Sequence, residues 1–203
     1  MKRARSAGDL SIYANQAASQ ANGALYINGS SVIIRSTAGN VNLNLVGSRP
    51  AWFVNSTPLI QAYLDLNINA VGTAGLYVDT ASTCSSNCGW ISDTGNISVK
   101  TISNDATGWG QYALYVRAPI IANGTATGKG NVTIVAVGPY GGVDFDSDVG
   151  YISAKGNVDV VGYGGASGGN GVYIISSGPT LTDTSGGTIR SVNGNVTISG
   201  YSA

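Results

Sequence analysis

The strongest constraint on this chain is a phrase that it repeats. A Gly-Asn pair followed by alternating apolar and polar residues stands at Gly39-Asn-Val-Asn-Leu43, Gly95-Asn-Ile-Ser-Val99, Gly130-Asn-Val-Thr-Ile134, Gly156-Asn-Val-Asp-Val160 and Gly194-Asn-Val-Thr-Ile198. Gly8-Asp-Leu-Ser-Ile12 is a degenerate first copy, and Tyr63-Leu-Asp-Leu-Asn-Ile68 fills the longest gap without the Gly-Asn pair. A second phrase precedes most copies: Ala24-Leu-Tyr-Ile27, Gly75-Leu-Tyr-Val78, Ala113-Leu-Tyr-Val116 and Gly171-Val-Tyr-Ile174, with Gly142-Val-Asp-Phe145 as an altered member. A third, Ile then Ser ahead of the Gly-Asn, is spelled IIRSTAGN, WISDTGN, YISAKGN and TIRSVNGN. Each unit therefore reads strand, loop, short strand, Gly-Asn turn, strand, and repetition at this length signals stacked units.

Val or Ile at every second position, with Asn, Ser, Thr or Asp between, is the period of a strand with one buried face. Gly and Asn accept left-handed backbone angles and are expected to turn the chain sharply. The spacing of the copies is irregular, which argues against a hairpin array, where register fixes loop length. A chain that winds onward tolerates corners of variable size, because each strand pairs with its equivalent one lap away. The expectation is an all-β parallel β-helix, a solenoid of about seven coils and roughly 34 Å long at the usual strand separation. The alternative is an antiparallel β-sandwich, which also shows short strands and frequent turns. Residues 1–22 are expected to be an irregular start carrying the degenerate repeat, and 23–203 the solenoid, read as a fragment of a longer array. Only NQAASQANGAL near the start offers a short helix. The asparagines Asn40, Asn96, Asn131, Asn157 and Asn195 are expected to form a side-chain amide ladder along one corner.

The phrase I-x-S-x-x-G-N-V-T-I, with Gly-Leu-Tyr-Val upstream, resembles the β-helical repeats of filamentous-haemagglutinin-like bacterial adhesins, from about Gly23 onward. That resemblance implies a secreted or outer-surface polypeptide acting as a rigid fibre. Its partners would be neighbouring repeats of the same polypeptide and a host-surface glycan or protein. The Asn-Pro-Asn type signature of the adhesins' secretion domain has no match in this sequence. No site residues carry over, because the repeat positions are scaffold.

Composition narrows the chemistry. The chain has no His, so neither a Ser-His-Asp nor a Cys-His arrangement is available, and all ten acids are Asp. With ten Lys and Arg against those ten Asp, it lacks the basic surface that nucleic acid or an anionic membrane requires. Its apolar runs are too short for a membrane-spanning helix. Met1-Lys-Arg-Ala-Arg5 is basic, like the head of a signal peptide, but no apolar stretch follows it. The expectation is a non-enzyme without a cofactor, calcium excepted.

Three candidate sites remain. Asp144-Phe-Asp-Ser-Asp148 places Asp144, Asp146 and Asp148 on one strand face; the favoured reading is a solvated face, ahead of a calcium site and then a carbohydrate-active catalytic cluster. Mutual repulsion of three like charges would be relieved by a bound cation. Tyr outnumbers Phe by 11 to two, and Tyr26, Tyr77, Tyr115 and Tyr173 are expected to align outward as a stripe. Such a stripe either stacks on itself, the favoured reading, or binds sugar rings or protein. Trp52, Trp90 and Trp109 are expected to cover coil edges. Cys84 and Cys88 suit a local disulfide in an oxidising compartment better than free thiols, and no further ligands lie nearby for a metal. Sequences such as Asn55-Ser-Thr57, Asn123-Gly-Thr125 and Asn131-Val-Thr133 arise within the repeat spelling and carry no glycosylation inference. An ice-binding solenoid is disfavoured because Thr forms no regular rows.

Overall fold

The structure is a computed structural model and describes residues 3–15, 24–28, 32–56, 58–80, 88–104, 112–145, 150–165, 169–175 and 187–203. They form three parallel sheets. One contains β1 (Arg3–Ser6), β4 (Ile33–Ser36), β7 (Leu59–Ala62), β10 (Gly89–Ser92), β13 (Ile120–Ala122), β16 (Ile152–Ala154) and β19 (Ile189–Ser191). The second contains β2 (Leu10–Asn15), β5 (Val41–Gly47), β8 (Leu66–Gly72), β11 (Ile97–Ser103), β14 (Val132–Gly138), β17 (Val158–Gly164) and β20 (Val196–Ser202). The third contains β3 (Leu25–Asn28), β6 (Ala51–Ser56), β9 (Leu76–Thr80), β12 (Tyr112–Arg117), β15 (Gly141–Phe145) and β18 (Val172–Ile174). Every third strand shares a sheet, so the chain winds as a parallel β-helix, with six full laps and a two-strand seventh among the described residues. No antiparallel pairing occurs among the described strands, which rules out the sandwich. The stretch expected to begin irregularly already contributes β1 and β2, paired in register with β4 and β5. Most of the NQAASQANGAL segment lies outside the described residues.

Register turns the alternating sequence into columns. In the second sheet, Val41, Leu66, Ile97, Val132 and Val158 stack directly, as do Leu43, Ile68, Val99, Ile134 and Val160, and all are buried. The first sheet adds Ile34, Ile60, Trp90, Ile120 and Ile152. Trp90 is thus a core residue, not an edge cover. Its parity decides this: Ser92 faces inward, Ile91 outward and Trp90 inward again. Val196 and Ile198 continue the columns into β20, where they are 43% and 44% exposed because no described lap lies over them.

The Gly-Asn corner is stitched lap to lap, but not chiefly by amide-to-amide bonds. The side-chain Oδ1 of each corner residue accepts the backbone N–H of its counterpart on the next lap. Asn40 N–H donates to Asp9 (2.7 Å), Asp65 to Asn40 (3.0 Å), Asn96 to Asp65 (2.8 Å) and Asn131 to Asn96 (3.0 Å). Asn157 then donates to Asn131 (2.8 Å) and Asn195 to Asn157 (2.8 Å). Asp9 and Asp65 therefore supply the two rungs where the Gly-Asn spelling lapses. Lys129 Nζ reaches back two laps to Asp65 (3.2 Å).

The ladder also explains the glycine. Of the five Gly-Asn glycines only Gly130 has positive φ (76°), so turn geometry is not the general reason for the residue. A Cβ at Gly39 would stand 2.5 Å from Asp9 Oδ1, and one at Gly95, Gly156 or Gly194 would run into Asp65, Asn131 or Asn157 Oδ1 in the same way. The space belongs to the rung below. The preceding serine locks the turn: Ser36, Ser92 and Ser191 each accept the N–H of the glycine three residues on (2.7–3.0 Å). Each also donates to a carbonyl, those of Gly8, Leu64 and Gly156 (2.6–2.7 Å). YISAKGN departs from its relatives here. Its turn is one residue shorter, so Ala154 takes the inward place and Ser153 faces out to accept Arg190 Nε at 3.1 Å.

Among the described residues the buried polar atoms without a partner include Arg35 Nε, Trp90 Nε1 and Thr101 Oγ1. An unsatisfied buried hydroxyl costs about 1–3 kcal/mol. Thr101→Val is expected to raise unfolding free energy by about 1 kcal/mol in urea titrations, whereas Ile134→Ala, which empties the centre of a column, lowers it by about 2–5 kcal/mol. At the corner, Asn96→Ala removes the acceptor for Asn131 N–H and is expected to cost about 1–3 kcal/mol. Asp65→Asn keeps its rung and loses only the part-exposed ion pair, so its unfolding free energy should change by no more than about 1 kcal/mol.

Candidate functional site

The outward face of the third sheet carries the aromatic stripe. Register places Tyr26, Trp52, Tyr77, Tyr115, Asp144 and Tyr173 in one row, one residue per lap. The four tyrosines expected to align therefore share one row, with only Tyr77 and Tyr115 on adjacent laps. Trp52 belongs with them and is not an edge cover. Ala51-Trp-Phe53 is the Leu-Tyr-Val phrase respelled, with Ala51 and Phe53 buried.

The geometry of the row limits what it can hold. Tyr77 and Tyr115 lie 4.6 Å apart with planes 6° from parallel, close to the strand separation itself. One π-face of each ring is spent on the other. Such a pair adds about 0.5–1.5 kcal/mol beyond its buried area. Tyr26 packs on Trp52 at 5.5 Å, tilted by 56°. The Arg49 guanidinium covers Trp52 at 4.2 Å, a cation–π contact. Each of these contacts covers an aromatic face that a sugar ring would otherwise use. These contacts match a stripe that stacks on itself.

At the fifth lap the row holds Asp144 instead of an aromatic residue. Tyr112 compensates from the start of β12. Its ring occupies the space a Gly141 side chain would fill and stacks on Tyr173 at 6.3 Å, two laps away. Asp144 is 6% exposed, so the solvated-face expectation is wrong for this residue: the tyrosines of adjacent laps flank it on both sides. Burial pushes the Tyr112 hydroxyl above its ordinary pKa and the Asp144 charge pushes it further, while a hydrogen bond with Asn170 opposes both. Tyr151 is also raised, by burial against the counter-pull of Arg190.

Asp146 and Asp148 lie outside the described residues, as do Trp109 and Cys84. Among the described residues no three His, Cys, Asp or Glu side chains gather as a metal-binding group. Cys88 is buried and disulfide-bonded. No described helix is long and apolar enough to cross a membrane. Neither a protein-family model, nor a curated protein, nor a solved structure matches the chain.

The raised tyrosines make a pH prediction. An unfolded tyrosine ionises near pH 10, and Tyr112 and Tyr151 do so later when folded. Their contribution to stability is complete below about pH 10 and is lost as pH rises towards the folded pKa values. Alkaline denaturation followed by fluorescence should show stability falling above about pH 10, with a shallower fall in Tyr112→Phe.

Proposed function

We propose that this chain is a non-enzymatic structural and adhesive β-solenoid segment of an exported bacterial surface protein, of the kind its adhesin-like repeats suggest. The observation that carries this reading is where the polar chemistry goes. Corner Asn and Asp, turn Ser and stripe Tyr are engaged in holding one lap to the next, which suits a rigid rod whose exposed faces are free for display. The disulfide at Cys88 fits an oxidising compartment.

The alternative, a carbohydrate-active enzyme using Asp144, Asp146 and Asp148, gains no support from Asp144. A general acid or base must reach its substrate, and this carboxylate is enclosed by the tyrosine row. A calcium ion held by the same three residues would be a structural addition to the scaffold and is not needed for its laps to stack.

Antibodies raised against the purified chain should label intact cells of the producing bacterium, and external protease should erase the label. Thiol-blocking reagents added before lysis should leave Cys88 unmodified. Labelling that appears only after lysis, together with a modifiable Cys88, would overturn the surface assignment.

A further inference from the structure

The outward face of the second sheet contains a block of asparagines that lap-to-lap bonding explains only in part. Two outward rows run across the strands. In the first, Asn42 and Asn67 lie between Ser11 and Ser98; in the second, Asn44 and Asn69 lie between Tyr13 and Lys100. Asn is a poor strand residue, yet it fills all four places on β5 and β8. On later laps the same places revert to residues such as Thr133, Val135, Val161 and Thr197. The block is local, so the repeat does not impose it.

Its two rows behave differently. Asn67 Nδ2 donates to Asn42 Oδ1 at 2.9 Å and Asn42 Nδ2 to Ser11 Oγ at 3.4 Å, which fixes the orientation of the first row. Asn44 and Asn69 make no side-chain hydrogen bond among the described residues, leaving both amides available. The block floors a shallow trough of about 600 Å³. Tyr13, 77% exposed, stands at one end. Lys100 stands at the other and makes no ion pair among the described residues.

We propose that this trough binds a linear oligosaccharide laid across the strands, with an acidic sugar at the Lys100 end. An amide presents a donor pair and an acceptor side by side, the pattern that adjacent hydroxyls of one sugar ring satisfy. Strands repeat at about 4.8 Å, a distance of the same order as the rise per unit of an extended polysaccharide, so successive amides meet successive sugars. Tyr13, unlike the stacked tyrosines of the third sheet, keeps its ring open to contact. The Lys100 ammonium is a point charge suited to one carboxylate, while a single cation is too little for nucleic acid. The strands beneath are hydrogen-bonded on both edges, so a peptide cannot add to them as another strand. The site is held by paired strands and needs little ordering on binding.

This inference deepens the adhesive part of the proposed function and rests on it for its biological setting, not for its geometry. The test is calorimetric titration of the whole chain with a tetrasaccharide of alternating neutral and uronic acid sugars, and with its carboxyl-reduced form. Saturable binding is expected for both, several-fold weaker for the reduced form. Lys100→Gln should abolish that difference. Asn44→Ser combined with Asn69→Ser should weaken binding at least tenfold with an unchanged thermal midpoint, and Tyr77→Phe should leave binding as it was. Absence of saturable binding to either sugar, or full binding by the double variant, overturns the site. A surface-labelled protein that fails these titrations sinks this inference alone, whereas a sugar-binding protein confined inside the cell sinks the surface assignment alone.

Discussion

Lap-to-lap register is the constraint on which the rest of this molecule depends. Parallel strands pair with equivalents one turn away, so a side chain's neighbours are set by its place in the lap and hardly at all by its nearest residues in sequence. The corner ladder pins that place. Each Oδ1 takes one specific N–H on the next lap, and a slip by one residue would turn every inward Val and Ile to the outside. Glycine is required beside the rung because the oxygen of the lap below occupies the volume of its side chain.

Once register is pinned, the outward rows acquire distinct characters from the same geometry. On the third sheet it brings tyrosine over tyrosine at a distance that suits ring stacking. On the second it sets amides in a flat array, one row joined internally and one left open. At the corner it brings Lys129 to Asp65 across 64 residues of chain. A rigid frame with variable corners can thus carry different surface chemistry on each face without disturbing the core. The proposed display role needs that separation.

Departures from the repeat are instructive because the frame absorbs them locally. Asp144 interrupts the aromatic row, and Tyr112 swings across Gly141 to restore contact with Tyr173. The turn before Gly156 is a residue shorter than its relatives, and Ala154 and Ser153 exchange the roles that a sequence alignment on Ile-Ser would give them. Trp90 replaces an isoleucine in its column and buries an indole N–H without an acceptor among the described residues, a local cost that the surrounding column contacts offset.

The sequence by itself determined the strand period, the winding of the chain in one sense and the alignment of Tyr26, Tyr77, Tyr115 and Tyr173. These follow from alternation and from recurrence of a phrase, both of which are local in the chain. Only the tertiary structure decided the roles of Trp52, Trp90, Tyr112 and Asp144, the reason for the glycines and the isolation of the Asn44 and Asn69 amides. Each of those depends on what lies one lap above or below, at separations from 25 to 38 residues that vary from corner to corner. Periodicity shows which way a residue faces; contact between laps decides what it meets there.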